Sequence, residues 1–154
     1  VAIILSILDY SKKIIPFINK FYFTLFRKIT RYNEYKTLSG ASWVLMGAVS
    51  TIYLFDEKSA LIGLLIMSFS DSAAALIGIK YGNTRFFNKS LEGTLAFLLS
   101  TFMIIRIMSS PSYALIFITT ISVTTVELFS NQRLNDNILI PISTAVILTL
   151  GGIH

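Results

Sequence analysis

The sequence predicts an all-α, multi-pass transmembrane helical bundle, with about five full or nearly full spans, a partial one at the N-terminus, and amphipathic helices at the membrane surface. Three observations predict it: apolar runs of bilayer-crossing length recur along the chain, charged residues fall in the breaks between them, and basic residues crowd into alternate breaks. Hydrophobic residues make up 54% of the 154 and charged residues 14%, with a mean hydropathy of +0.72. Soluble domains average about 25% charged residues. A hydrocarbon core about 30 Å thick asks for about 20 mostly apolar residues per crossing helix.

The elements follow in order. Residues 1–8 are apolar, about half a span long, and lack both an initiator methionine and the arrangement of a signal peptide, so upstream residues are expected. Residues 9–37 interleave Phe17, Phe21, Phe23, Leu25 and Phe26 with Lys12, Lys13, Lys20, Arg27, Lys28, Arg31 and Lys36. That alternation suits helices lying on the membrane surface, one of them starting near Pro16. Apolar runs then cover residues 38–55, 59–79, 91–108, 112–126 and 138–153. One domain, 1–154, accommodates them all.

Of the 13 Lys and Arg residues, all but Lys58 and Arg106 lie in the odd-numbered breaks. The positive-inside rule therefore puts those breaks in the cytoplasm, and the abundance of Ile, Asn, Lys and Phe makes a bacterial inner membrane the expected setting. Attraction to anionic headgroups accounts for the net charge of +5 without a nucleic-acid partner, and none is expected. The absence of cysteine excludes disulfides, thiolate metal sites and a cysteine nucleophile. His154, the lone histidine, is the last residue and reads as a bystander.

Asp71 is the most informative residue, because a carboxylate inside a spanning helix costs about 2.5–3.5 kcal/mol on insertion scales and usually faces a polar cavity. At helical spacing Ser68, Asp71, Ala75, Gly78 and Gly82 form a stripe of small or polar residues, open to a ligand or to a second helix. The break that follows reads KYGNTRFFNKSLEG, residues 80–93. Asn83, Thr84 and Ser90 offer hydrogen bonds and Arg85 and Lys89 offer charge, just before a helix N-terminus. The combination reads as a phosphate cradle or as a basic membrane-flanking loop capped by Ser90, and it lacks P-loop spacing. Glu92 sits in the first turn of the next helix, where the helix dipole favours a carboxylate. The last odd break brings Glu127, Asn131, Arg133, Asp136 and Asn137, with Pro141 just inside the final run. Carboxylates facing basic loops suggest a divalent cation bridging to a phosphorylated substrate; magnesium suits them, whereas zinc would want His or Cys.

The strings D-S-A-A-A-L-I-G-I-K-Y-G and N-K-S-L-E-G-T-L-A-F, with Arg31, Glu34, Gly40, Trp43 and Gly47 before them and Glu127, Asp136, Asn137 and Pro141 after, resemble the CTP-dependent lipid kinases. That family spans diacylglycerol kinase of the yeast type, dolichol kinase and phytol kinase, and the resemblance covers roughly residues 9–145. It implies a catalytic set of Asp71, Lys89, Glu92 and Asp136. It implies nucleotide and phosphate contacts at Lys80, Gly82, Arg85, Lys89, Ser90 and Gly93, and magnesium held by Asp71, Asp136 and Glu127. Arg31, Glu34 and Asn137 are implied as supporting residues.

The expected function is transfer of the γ-phosphoryl group of CTP, or of another nucleoside triphosphate, to the hydroxyl of a membrane lipid such as diacylglycerol, a polyprenol or phytol. Two alternatives stay open at this stage. One is a phosphatidate cytidylyltransferase-like enzyme making a CDP-lipid, although the K-D and H-G-G-x-x-D-R signature of that group is absent. The other is an ion or solute transporter or structural membrane subunit, in which Asp71 would relay an ion or proton.

Overall fold

In a computed structural model the structure describes residues 40–87, 89–130 and 135–153. The surface helices expected in 9–37, the partial span before them, Arg31, Glu34, Asn131, Arg133 and His154 lie outside the described residues. The described chain is a bundle of five helices: α1 (Gly40–Leu54), α2 (Glu57–Tyr81), α3 (Leu91–Met108), α4 (Tyr113–Phe129) and α5 (Asp136–Leu150). Between α2 and α3 stands a short antiparallel ribbon, β1 (Arg85–Phe86) with β2 (Lys89–Ser90), pairing Arg85 with Ser90 and Phe86 with Lys89. α5 is central and packs on α1, α2 and α4, while α3 joins the far half of α2 to α4.

Two helices, α2 with 25 residues and α3 with 18, are long and apolar enough to cross a membrane. The others are apolar but shorter: at about 1.5 Å per residue, the 15 residues of α1 or α5 reach only about 23 Å. The expectation of five spans therefore meets five helices, of which two have spanning length. Ile62, Ile66, Phe97, Ile105, Ile116, Val123, Ile140 and Leu148 form a buried core, yet large apolar side chains also cover the outside. Ile52, Leu76, Leu99, Ile118 and Leu150, one from each helix, are all more than half exposed. Thr51, Thr119 and Thr144 are buried, and their hydroxyls donate to Gly47, Leu115 and Ile140 carbonyls at 2.7–2.8 Å, which satisfies them inside the bundle. Apolar surface of this extent suits a lipid solvent.

Small residues set the helix crossings. A Cβ on Gly47 would run into the Asn137 carbonyl oxygen, and one on Gly63 would lie 2.6 Å from the Pro141 oxygen, so α1 and α2 meet α5 backbone to backbone. Pro141, inside α5, has no N–H for the Asn137 carbonyl, and that freed carbonyl is the one Gly47 abuts.

α2 is α-helical over Glu57–Leu65 and again over Asp71–Tyr81, with a π-helical turn, Ile66–Ser70, between them. The Asp71 amide donates to the Ile66 carbonyl, five residues back, so one extra residue is accommodated and the helix face rotates there. The rotation corrects the expected stripe: Ser70 is fully buried, whereas Ser68 is exposed. Ser68 thus leaves the face that 3.6-residue spacing assigned to it.

Candidate active site

A cavity of about 460 Å³ opens at the end of the bundle that carries the β-ribbon, within the usual size for a small-molecule site. Asp71, Ala75, Gly78 and Gly82 line it from α2, Arg85, Lys89 and Ser90 from the ribbon, Gly93 and Thr94 from α3, and Glu127 from α4. Asp71 is inside α2 by sequence, yet it shares this cavity with Glu127 in the last turn of α4 and interacts electrostatically with Asp136, the first residue of α5. The segment Asp71–Tyr81 carries α2 about 15 Å beyond that level, where α4 and α5 have ended. The carboxylate is therefore set among the polar groups of the cavity.

Lys89 organises the charges. Its Nζ donates to Glu127 Oε1 at 2.5 Å and lies 3.6 Å from Asp136 Oδ2. Glu127 is 1% exposed and its Oε2 has no hydrogen-bond partner among the described residues. Asp136 is placed by the start of α5, where Asn135 caps the helix by accepting from the Asn137 amide at 3.0 Å and Ser130 Oγ reaches Asp136 Oδ2 at 3.5 Å. The Asn137 amide also donates to Asp136 Oδ1 at 3.1 Å.

The ribbon and α3 are locked to each other. Ser90 caps α3, its Oγ accepting from the Gly93 amide at 3.1 Å. Gly93 lets α3 touch α2: a Cβ there would sit 2.8 Å from the Ala74 carbonyl oxygen and 2.9 Å from Ser90 Oγ. A Cβ on Gly78 would sit 2.8 Å from the same Ser90 oxygen. Glu92, expected among the catalytic residues, directs its carboxylate to the turn before the ribbon, where it accepts from the Asn83 amide at 3.2 Å and the Thr84 amide at 3.1 Å. Glu92→Gln is expected to loosen that turn, and hydrogen exchange at Asn83 and Thr84 measures it: faster exchange at both amides, with the core of α3 unchanged. Unchanged exchange at both would show that the carboxylate does not hold the turn.

Most of the expected phosphate contacts converge. Gly82, Arg85, Lys89, Ser90 and Gly93 all line the cavity. Lys80 does not; it is exposed, its ammonium 5.1 Å from the Tyr81 ring centroid. Thr94 was not anticipated, although its spacing of four from Ser90 puts both on one helical face, and its Oγ1 is buried without a hydrogen-bond partner among the described residues.

Comparison with known proteins adds the family. No protein-family model and no solved structure matches the chain. An uncharacterized protein of Rickettsia prowazekii is 34% identical over 142 residues, covering 86% of this chain and 70% of that protein. CTP-dependent diacylglycerol kinase 1 of Saccharomyces cerevisiae is 38% identical over 97 residues, covering 61% of this chain and 33% of the kinase. Dolichol kinase of the same yeast is 37% identical over 108 residues, covering 64% of this chain and 20% of the kinase. The chain thus spans a third or less of the two yeast kinases. Together with the motif strings that meet in one cavity, these similarities mean that the chain belongs to the CTP-dependent lipid kinase family.

Proposed function

We propose that this protein is an integral membrane lipid kinase that moves the γ-phosphoryl group of CTP to the hydroxyl of a membrane lipid such as diacylglycerol, a polyprenol or phytol. Its cavity faces the cytoplasm, where the nucleotide is, and the setting is a bacterial inner membrane. The observation that carries the reading is the convergence of Arg85, Lys89, Asp71 and Glu127 on one cavity at the ribbon end of the bundle. The names of the relatives support the donor and the class of acceptor.

Phosphoryl transfer asks a protein mainly for positioning and for neutralising charge on the transferred group. Arg85 and Lys89 supply positive charge on the cavity wall, and Gly78, Gly82 and Gly93 let α2, the ribbon and α3 close on one another around it. The lipid oxygen attacks the γ-phosphorus, its proton passes to a base, and the bond to the β-phosphate oxygen breaks to release CDP. Asp71 is the carboxylate that lines the cavity without a Lys89 contact of the kind Glu127 makes, and it is assigned to the acceptor side.

The donor set fits magnesium. Among the described residues no three of His, Cys, Asp and Glu gather closely enough to cage a metal, but magnesium takes one or two carboxylates and completes its shell with substrate phosphates and water. Asp71 and Asp136 would hold it, with the unpartnered Glu127 Oε2 nearby. When bound it would neutralise phosphate charge.

The test is incubation of purified protein with γ-labelled CTP, magnesium and a panel of lipid alcohols. Labelled lipid phosphate is expected, and Asp71→Asn is expected to reduce it by a factor on the order of 10² with little loss of stability, since it deletes a charge but keeps the shape. No labelled lipid from either CTP or ATP with any acceptor would sink the proposal.

A further inference from the structure

The tip of the β-ribbon carries a feature that the phosphate site does not use. Phe87, the first of the two residues joining β1 to β2, has φ +53°, a left-handed conformation that glycine or asparagine adopts readily and that is an outlier for a bulky side chain. The strained residue presents its ring rather than hiding it. Phe87 is 63% exposed, and its ring packs 5.0 Å from Phe86 and 5.1 Å from Phe129, which are themselves 43% and 56% exposed. Phe87 therefore links Phe86 and Phe129 into one exposed apolar surface at the ribbon, whose Arg85 and Lys89 line the cavity. An observed backbone outlier of this kind is a reason to look for a function.

Position identifies what the rings meet. Phe129 ends a lipid-type stripe on α4: Ile118, Ile121, Thr125 and Phe129 share one helical face and all are exposed. Thr125 turns its hydroxyl back to the Ile121 carbonyl at 2.8 Å, as a hydroxyl facing hydrocarbon must. Next to the rings along the ribbon stands the exposed cation Arg85. An apolar stripe that ends in aromatic rings and then in a basic residue is the order of groups across a membrane–water interface, from acyl chain to headgroup.

We propose that the ribbon tip is a membrane foot: Phe86, Phe87 and Phe129 seat at the headgroup–acyl boundary of the leaflet on the cavity side. There they hold Arg85, and with it the cavity mouth, at the depth of the lipid headgroups. A lipid alcohol whose hydroxyl lies at that boundary enters the cavity without leaving the bilayer. This last consequence rests on the kinase reading; the seating of the rings does not.

The experiment places a reporter at the tip. Trp43 is the one tryptophan in the chain, so a Trp43→Phe background carrying either Phe87→Trp or Phe129→Trp reports one position at a time. The full chain is reconstituted into phosphatidylcholine–phosphatidylglycerol vesicles whose lipids are brominated either near the carbonyl or near the methyl end, and iodide is added from the aqueous side. Strongest quenching by the carbonyl-proximal bromines, at both positions, is the expected result. Dominant quenching by iodide puts the tip in water and overturns the proposal; so does the lack of quenching by any of the three, which means that protein covers the rings. A second measurement uses Phe87→Gly, which relieves the positive φ. Thermal stability is expected to rise while the KM for the lipid acceptor, expressed as surface mole fraction, increases several-fold and the KM for CTP stays unchanged. An unchanged acceptor KM overturns the acceptor-entry role. If wild-type protein phosphorylates no lipid, the kinase reading fails, and the quenching data still decide the foot.

Discussion

Replacement of Lys89 by methionine is expected to abolish phosphoryl transfer and to lower thermal stability, whereas Lys89→Met combined with Glu127→Gln is expected to restore the stability alone. The reason is the burial of Glu127, whose side chain is 1% exposed and whose Oε1 accepts from Lys89 Nζ at 2.5 Å. Breaking a buried ion pair by removing one partner costs about 3–5 kcal/mol, because the other charge is left desolvated and unpaired. Lys89 is 25% exposed, so some water can follow into the gap and the lower end of that range applies. Asp136, 30% exposed, loses a more distant partner and is resolvated. In the double variant no unpaired charge remains buried, and fold stability recovers. Activity does not, because the cation on the cavity wall is still missing. Thermal unfolding in detergent and transfer of γ-label from CTP measure the two effects separately. Full activity in Lys89→Met would make the ammonium structural only, and failure of Glu127→Gln to restore stability would place the cost elsewhere.

What could be read beforehand follows from which forces act locally. The helical segments and the break between α2 and α3 were legible because apolar runs and glycine, lysine and serine clusters signal themselves over a few residues. The ends of α4 and α5, Phe129 and Asp136, fall within three residues of the expected runs, while their meeting at the cavity with Asp71 is a tertiary fact that no local pattern carries. Asp71 stands out in the sequence, and the fold gives it another setting. It reads as a carboxylate in mid-membrane, and in the fold it stands where neighbouring helices end. The π turn Ile66–Ser70 was invisible to a 3.6-residue count, since nothing in the sequence IMSFS marks an inserted residue, and Ser68 was misassigned in consequence. The ribbon was missed because RFFNKS lacks the Asn-Gly or Asp-Gly turn that announces a hairpin; it is held instead by Glu92 on the Asn83 and Thr84 amides and by the Leu91 amide on the Thr84 carbonyl at 2.9 Å. Lys80 was expected in the site from the resemblance, and its outward direction depends on where the last turn of α2 faces.

The glycines divide in a way that yields the second large effect: Gly93→Ala is expected to destabilise the fold and silence the site, and Gly78→Ala to do less of both. Each methyl would meet an atom at 2.8 Å, but the atoms differ in kind. At Gly93 the obstacle is the Ala74 carbonyl oxygen, part of the α2 backbone, so α3 must move bodily away from α2. Overpacking of this sort costs about 1–3 kcal/mol, and here it also displaces Ser90 and Lys89, which enter α3 through the same turn. At Gly78 the obstacle is Ser90 Oγ, a side-chain atom that can rotate aside and sacrifice its bond from the Gly93 amide. Loss of an N-cap costs about 1 kcal/mol and leaves the helix axes where they were. The ordering is checked by thermal unfolding and by the CTP assay on both variants, with Ser90→Ala as the reference for cap loss. Gly78→Ala should match Ser90→Ala in stability, while Gly93→Ala should fall below both. If the two glycine variants behave alike, the helices are free to adjust at this crossing, and the contact between α2 and α3 does not hold Lys89 over the carboxylates.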